Sequence, residues 1–236
     1  MSTNGTMKTY KNTAIIVGAL FLIAMVTSLV GGAGMIEPVI GTDEYLVAVS
    51  ESDTQVLVGV LLELINGICV VLIAVLLFPI LKKVNEGLAL GYVAFRIIES
   101  MVIVAAVVSP LTLVALSQEY LKAGAPDTSF FQALGGTLLA ARSHWAGLLL
   151  GLFFSLGALV LYYLMYKSIL LPRFISIWGF IGAILILVWN ILQFFGIDLG
   201  DAGMILALPI ILNEIFMAIW LIVKGFNAPA ITSLSQ

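Results

Sequence analysis

The chain has 236 residues, of which 62% are hydrophobic and 10% charged, with a formal net charge of −3. Water-soluble domains carry about 25% charged residues, so this composition and a mean hydropathy of +1.19 exclude an ordinary soluble domain. The chain has one cysteine, Cys69, which excludes an intramolecular disulfide and a paired-cysteine metal or redox motif. No nucleic-acid partner is expected.

Six apolar segments are long enough to cross a bilayer core of about 30 Å as helices. In chain order they cover residues 13–34, 55–81, 88–116, 133–166, 174–196 and 203–223. The tail from 224 to 236 is predicted to be short, cytoplasmic and disordered. We therefore predict an all-α integral membrane bundle of six transmembrane helices that forms one domain over residues 1–236.

The basic residues are concentrated on one side of the six-span arrangement. That side holds Lys8, Lys11, Lys82, Lys83, Lys167, Arg173 and Lys224, and the opposite side holds only Lys122. The opposite side carries acids instead: Glu37, Asp43, Glu44, Glu51, Asp53, Glu119, Asp127, Asp198 and Asp201. Because basic residues mark cytoplasmic loops, both termini are predicted to be cytoplasmic.

Five charged residues and one histidine lie within the predicted spans, and four amides accompany them. They are Glu63, Arg96, Glu99, Arg142, His144 and Glu214, with the amides Asn66, Asn190, Gln193 and Asn213. A charge near the centre of a spanning helix costs at least about 2.5 kcal/mol, so each needs a partner or a water-filled cavity. Helical spacing places seven of them on interior stripes that also carry small residues: Glu63, Asn66, Arg96, Glu99, His144, Asn190 and Gln193. We take these seven, together with Asn213 and Glu214, as candidates for a ligand or proton site.

Depth along the helices divides these candidates into two levels. At about 1.5 Å per residue, Arg96, Glu99, Asn213 and Glu214 lie roughly 12–17 Å from the cytoplasmic side. Glu63, Asn66, Asn190 and Gln193 lie roughly 22–30 Å from it. Arg96 and Glu99 are three residues apart on one helix face, so they are predicted to pair, with Glu214 as the second candidate partner of Arg96.

The fourth span places its two charged residues on different faces. His144 shares a stripe with Gly147 and Gly151, which predicts a close helix contact and a hydrogen-bonded structural histidine rather than a ligand. Arg142 lies about 200° around the helix and is predicted to extend to the outer interface. Asn190 and Gln193 are predicted to form hydrogen bonds between helices.

No catalytic motif accompanies these residues. The chain contains no HExxH, GxSxG or P-loop pattern, no metal site is predicted, and the sequence identifies no cofactor. The leading hypothesis is a small transporter or a protein that binds a lipophilic or other small molecule in a central polar cavity. The alternatives are an intramembrane enzyme that acts on a lipid or quinone through Glu99, Glu214 and His144, and a structural membrane scaffold. The bilayer is the expected environment, and the sequence is compatible with a homo-oligomer.

Two stretches resemble a known family. YLMYKSILLPRFISIWGFIGA, residues 163–183, resembles the turn between the fourth and fifth spans of a prokaryotic multi-pass family catalogued as domain of unknown function four-three-eight-six. NEIFMAIWLIVKGF, residues 213–226, resembles the last span of that family. FRIIES and ARSHW stand where the family tends to have an arginine–glutamate pair and a histidine. The resemblance implies a six-helix membrane protein in the plasma membrane of a prokaryote, and it supplies no activity.

Overall fold

A computed structural model describes the backbone of residues 3–125, 130–197 and 199–234, and side chains throughout these ranges except at 3–7 and 201. Every regular element in the described residues is a helix. In chain order the elements are α1 Thr3–Ser28, π1 Leu29–Ile36, α2 Glu37–Ile40, α3 Tyr45–Glu51, α4 Asp53–Leu81, α5 Glu86–Lys122, α6 Phe130–Arg142, π2 Ser143–Leu149, α7 Leu150–Ser168, α8 Arg173–Phe194, α9 Asp201–Val223 and α10 Ala228–Ser233.

Six helical stretches in the described residues are long and apolar enough to cross a membrane, which confirms the predicted number of spans. They are Lys8–Ile40, Asp53–Leu81, Glu86–Lys122, Phe130–Ser168, Arg173–Phe194 and Ala202–Val223. Many of their large apolar side chains, such as Leu208, Leu212 and Ile219, are exposed. In water such a surface would drive aggregation, whereas acyl chains of a bilayer cover it without cost.

Two spans contain a wide π-helical turn. In π1 the Glu37 N–H donates to Gly32 O, and in π2 the Leu150 N–H donates to Trp145 O, five residues back in each case. Because a π turn holds more residues than an α turn, it changes which side chains face inward beyond it. Helix α2 follows π1 directly, so the first helical stretch continues to Ile40, beyond the predicted end near residue 34.

The described chain divides into two compact units. The first unit contains residues 1–23, 69–99 and 151–236. Its core is apolar and includes the fully buried Leu77, Leu161 and Leu164. Helices α8 and α9 pack closely because Gly182 has no side chain: an added Cβ would lie 2.9 Å from the Ile210 nitrogen.

Residues 224–234 are ordered within the first unit, so the prediction of a disordered tail is wrong for this part of the chain. The Asn227 N–H donates to Leu170 O at 2.9 Å, and the Asn227 side chain donates to Ile169 O at 3.1 Å. Helix α10 follows and buries Ala230 and Ile231 in the core. The hydrogen bonds of Asn227 and the burial of Ala230 and Ile231 explain why this segment is ordered.

The second unit contains residues 24–68 and 100–150. Its core includes the buried side chains Ile36, Val49, Val56 and Leu113. The first and second spans approach closely at Gly31 and Gly59, where a Cβ on either residue would lie 2.8 Å from the carbonyl oxygen of the other. This contact brings π1, which carries the GGAG sequence of residues 31–34, against the N-terminal part of α4.

Candidate functional site

Each unit contains its own group of the charged and amide side chains that the sequence analysis identified. The first unit holds Arg96, Glu99, Asn190, Gln193, Asn213 and Glu214, and the second holds Glu63, Asn66, Arg142 and His144. We name the Arg96 cluster as Tyr92, Arg96, Glu99, Tyr162 and Glu214, and the Arg142 cluster as Glu37, Glu63 and Arg142. Each cluster is described by itself.

The predicted ion pair between Arg96 and Glu99 is confirmed. Arg96 Nη1 donates to Glu99 Oε2 at 2.9 Å and to Oε1 at 3.1 Å, and both side chains are only 4% exposed. Helix α5 places the two residues one turn apart, so the pair forms without any contribution from another helix. Both carboxylate oxygens therefore accept from a single nitrogen of the guanidinium.

The other two nitrogens of Arg96 have no hydrogen bond of normal geometry. Nε and Nη2 are buried and find no well-aligned acceptor among the described residues, although the Tyr92 hydroxyl is close enough to interact with the guanidinium. The rings of Tyr92 and Phe154 cover the guanidinium, with their centroids 5.4 and 5.3 Å from Cζ, which is cation–π geometry. This aromatic cover compensates part of the charge but leaves the N–H donors unpaired.

Two tyrosines add further unpaired groups to the Arg96 cluster. The hydroxyls of Tyr92 and Tyr162 are buried and have no hydrogen-bond partner of normal geometry in the described chain. Tyr162 interacts electrostatically with Arg96 and Glu214, so its hydroxyl lies near both charges. Gly179 of α8 provides room for this ring, because an added Cβ would overlap it.

Helix α9 supplies Glu214 and Asn213. Glu214 interacts electrostatically with Arg96 and Glu99, but it forms no ion pair or hydrogen bond among the described residues. The adjacent Asn213 is fully buried and donates from Nδ2 to Ile175 O at 2.9 Å, whereas its Oδ1 has no partner. The predicted second partner of Arg96 is thus near the guanidinium without contacting it.

Arg142 does not extend to the outer interface, so that prediction is wrong. Its guanidinium is buried and contacts carboxylates from two other spans, Glu63 and Glu37. Nη2 lies 2.7 Å from Glu63 Oε1 and 3.0 Å from Glu37 Oε1, and Nη1 donates to Glu63 Oε2 at 2.8 Å. The sequence interpretation missed Glu37 because π1 extends the first span and places this residue beside Arg142.

The guanidinium of Arg142 is fully satisfied. Nε donates to Glu37 Oε1 at 3.1 Å, and Nη1 also donates to Ala106 O at 3.3 Å. Gly32 leaves space for the arrangement, because an added Cβ would lie 2.7 Å from Glu63 Oε1. The Arg142 cluster is therefore a closed ionic link among the spans of its unit.

A cavity of about 420 Å³ borders the Arg142 cluster within the second unit. Its lining includes Glu37, Arg142 and Ser143, with apolar residues on the remaining sides. The Glu37 side chain is 49% exposed, so one carboxylate of the cluster remains accessible. The guanidinium, however, has no donor left for a ligand in this cavity.

His144 does not face inward, which corrects the predicted packing face. The residue is exposed, and its Nδ1 lies 2.6 Å from Ala140 O of the preceding turn. Gly147 is exposed as well, and a Cβ there would meet nothing within 4 Å. Only Gly151 forms the predicted close contact, against the side chain of Asn190 in the first unit. The π2 turn explains the error, because it rotates the residues that an unbroken α-helix would have aligned.

The remaining predicted amides, Asn190, Gln193 and Asn66, form no hydrogen bonds to other helices among the described residues. Asn190 Nδ2 donates to Ile186 O of its own helix at 2.8 Å, so the predicted bond between helices is wrong, and its Oδ1 is unpartnered. Gln193 is half-buried and Asn66 is buried; neither side chain forms a hydrogen bond within the described residues. These positions identify no ligand contact by themselves.

The described residues contain no group of three or more His, Cys, Asp or Glu side chains that could hold a metal ion. The enzyme hypothesis combined Glu99, Glu214 and His144. Glu99 and Glu214 belong to the Arg96 cluster, whereas His144 is exposed in the second unit.

Six apolar helices with charged clusters inside the two units define a multi-pass helical membrane protein. The chain belongs to the family described as "Domain of unknown function (DUF4386)", whose model matches residues 16–225. This confirms the family resemblance seen in the sequence. No curated protein and no solved structure matches the chain.

Proposed function

We propose that the protein is a small transporter or ligand-binding membrane protein and that the Arg96 cluster is its site. The observation that carries this proposal is the unmet hydrogen-bonding capacity of Arg96, whose Nε and Nη2 have no acceptor although the side chain is buried. Unpaired buried donors are expensive, more so on a charged group and in a membrane interior. A ligand that supplies acceptors would remove this cost.

The neighbouring groups indicate the chemistry of the ligand. Arg96 requires a hydrogen-bond acceptor. The Glu214 carboxyl forms no hydrogen bond among the described residues and can accept one from a donor. The hydroxyls of Tyr92 and Tyr162 can act in either role. The rings of Tyr92 and Phe154 favour an apolar body. We therefore infer a lipophilic small molecule whose polar end combines an acceptor with an amine or hydroxyl donor.

A contrast between the two arginines supports the choice of cluster. Arg142 has a partner for each of its three nitrogens, so it links helices and needs no ligand. Arg96 uses one nitrogen only. Intramembrane charges with unmet bonds are the usual mark of a substrate or proton path, whereas fully paired ones also serve packing.

Thermal unfolding of the purified protein in detergent tests the proposal. The probes are three small sets of lipophilic amino alcohols, lipophilic carboxylic acids and neutral alcohols of equal chain length. Amino alcohols are expected to raise the unfolding temperature of the wild-type protein, and this effect should be lost in Glu214→Gln. A control that removes two charges from the other cluster, Arg142→Met with Glu63→Gln, should retain it. Equal shifts from all three sets, or an undiminished shift in Glu214→Gln, would contradict the proposed site.

A flux measurement separates a transporter from a binding protein. A compound that stabilises the protein is loaded into liposomes that contain either the wild-type protein or Glu214→Gln. Release that depends on the wild-type site supports transport, whereas binding without release supports a ligand-binding protein. If the compound is instead chemically converted, the intramembrane enzyme becomes the better explanation, and a scaffold would show neither binding nor release.

The cellular setting is part of the same proposal. We place the protein in the plasma membrane of a prokaryote, with both termini in the cytoplasm. The support is the predominance of lysine and arginine in the connections on one side of the six spans. Association into a homo-oligomer is compatible with the extensive exposed apolar surface of the spans.

A further inference from the structure

A second feature of the first unit lies at the beginning of α8. There a groove of about 270 Å³ runs between the end of α7 and the first turns of α8. Its lining is three tyrosines of α7 and four residues of α8: Tyr162, Tyr163, Tyr166, Ser176, Ile177, Phe180 and Ile181. Four of these residues, Tyr163, Tyr166, Ile177 and Ile181, are 43–52% exposed, so the groove is open along its length. Both helices are membrane spans, so the groove opens towards acyl chains.

Positive charge stands at one end of this groove. The Arg173 guanidinium lies over the ring of Tyr166, with its Cζ 5.5 Å from the centroid. Lys167 follows Tyr166 at the end of α7, and both cations are exposed without an ion pair among the described residues. Helix α8 begins at Arg173, and no side chain caps its N-terminus. The partial positive charge at the N-terminus of α8 therefore adds to the positive charge of Lys167 and Arg173.

A buried hydroxyl lies inside the groove. Ser176 is fully buried, lines the groove, and its Oγ has no hydrogen-bond partner in the described chain. It follows Arg173 by three residues, which is about 4.5 Å along the helix axis. The ester carbonyls of a phospholipid lie just below its phosphate, so a phosphate at Arg173 would bring an acceptor to the level of Ser176. Beyond this level the lining is aromatic and aliphatic, as an acyl chain requires.

We propose that this groove binds an anionic phospholipid of the leaflet that faces Lys167 and Arg173. The phosphate lies between the two cations and the N-terminus of α8, Ser176 donates to an ester carbonyl, and one acyl chain occupies the groove against Ile177 and Ile181. The charge supplies the preference for an anionic headgroup, because a basic residue at the membrane surface favours anionic lipids. The site is separate from the Arg96 cluster, and its occupancy does not depend on that function.

Native mass spectrometry of the full chain, released from nanodiscs, tests the lipid site. The nanodiscs contain equal amounts of phosphatidylglycerol and phosphatidylcholine with the same acyl chains. The wild-type protein is expected to retain phosphatidylglycerol about tenfold more often than phosphatidylcholine. Arg173→Gln should abolish most of this preference. Lys82→Gln is the matched control, because Lys82 is also exposed and also lies over an aromatic ring, that of Phe78, but is outside the groove.

Two further variants test the groove itself. Ser176→Ala removes the unpartnered hydroxyl with little change in volume, so it should fold normally and reduce retention of both lipids a few-fold. Ile181→Trp fills the groove from its exposed side and should reduce retention of both lipids about tenfold. Unchanged retention in Ile181→Trp would show that only the headgroup is bound, and displacement of the lipid by millimolar inorganic phosphate would show the same; either result overturns the proposal. An equal loss in Lys82→Gln and Arg173→Gln would reduce the effect to general surface charge and would also overturn it.

Discussion

At the residue scale, the number of satisfied donors distinguishes the two buried arginines. Arg142 is bonded through all three nitrogens, and its partners Glu37 and Glu63 come from other spans. Arg96 depends on one residue of its own helix, Glu99. Loss of Glu99 therefore removes the carboxylate that accepts from Arg96 among the described residues, whereas loss of either acid around Arg142 leaves the other in place.

The free energy of unfolding should therefore depend on the pairing of Arg96 with Glu99. Glu99→Gln leaves the buried guanidinium without its ion-pair partner, and we expect it to lower the free energy of unfolding by about 3 kcal/mol. The double variant Arg96→Met with Glu99→Gln should be less destabilised, because no charge is stranded. Unfolding in mixed micelles measures both values. Equal losses in the single and double variants would show that the two charges are not coupled.

A single methyl group tests the Arg142 cluster. In Gly32→Ala the new Cβ would stand 2.7 Å from Glu63 Oε1, so the carboxylate must move away from Arg142. We expect a loss of about 1–3 kcal/mol, as is typical when extra volume is forced into a packed site. Gly136→Ala in α6 is the control, since its Cβ would meet nothing within 4 Å. Comparable unfolding temperatures for the two variants would mean that the carboxylate moves without cost.

At the element scale, helix number and type follow from composition, but helix phase does not. All six spans were predictable because each is a long apolar run, and the Arg96–Glu99 pair was predictable because it depends only on spacing within α5. The π turns carry no equally clear pattern, and each one shifts the residues beyond it. That shift explains why His144 was placed inside, why Arg142 was placed outside, and why Glu37 was overlooked. Contacts between helices, such as Arg142 with Glu63, depend on this phase and on side-chain reach.

The crossing of α8 and α9 offers a prediction at this scale. Gly182→Ala would bring a Cβ to 2.9–3.0 Å from the backbone nitrogen and Cα of Ile210, and a backbone cannot yield as a flexible side chain does. The two helices must separate, and we expect a loss of about 1–3 kcal/mol. Gly91→Ala in α5 makes no contact within 4 Å and should be neutral or slightly stabilising. The difference in thermal unfolding between these variants measures the crossing, and no difference would argue against close packing there.

At the scale of the whole molecule, we predict the orientation in the membrane from the number of spans and the position of charge. Six crossings would leave both termini on one side, and the connections assigned to that side contain Lys82, Lys83, Lys167 and Arg173. The opposite connections are acidic, with Lys122 paired to Glu119 at 2.7 Å. Because translocation disfavours clustered basic residues, the lysine-rich connections should remain in the cytoplasm.

Cysteine labelling in intact cells tests this orientation. In a Cys69→Ala background, Asp43→Cys and Lys122→Cys should react with a membrane-impermeant maleimide, as should Asp198→Cys, whose position lies outside the described residues. Lys82→Cys and Lys167→Cys are exposed positions of the predicted cytoplasmic side, so they should react only after the cells are permeabilised. This second condition controls for expression and for reactivity of each thiol. Labelling of the cysteine at 82 or 167 in intact cells would reverse the orientation, and the anionic lipid proposed at Arg173 would then belong to the outer leaflet.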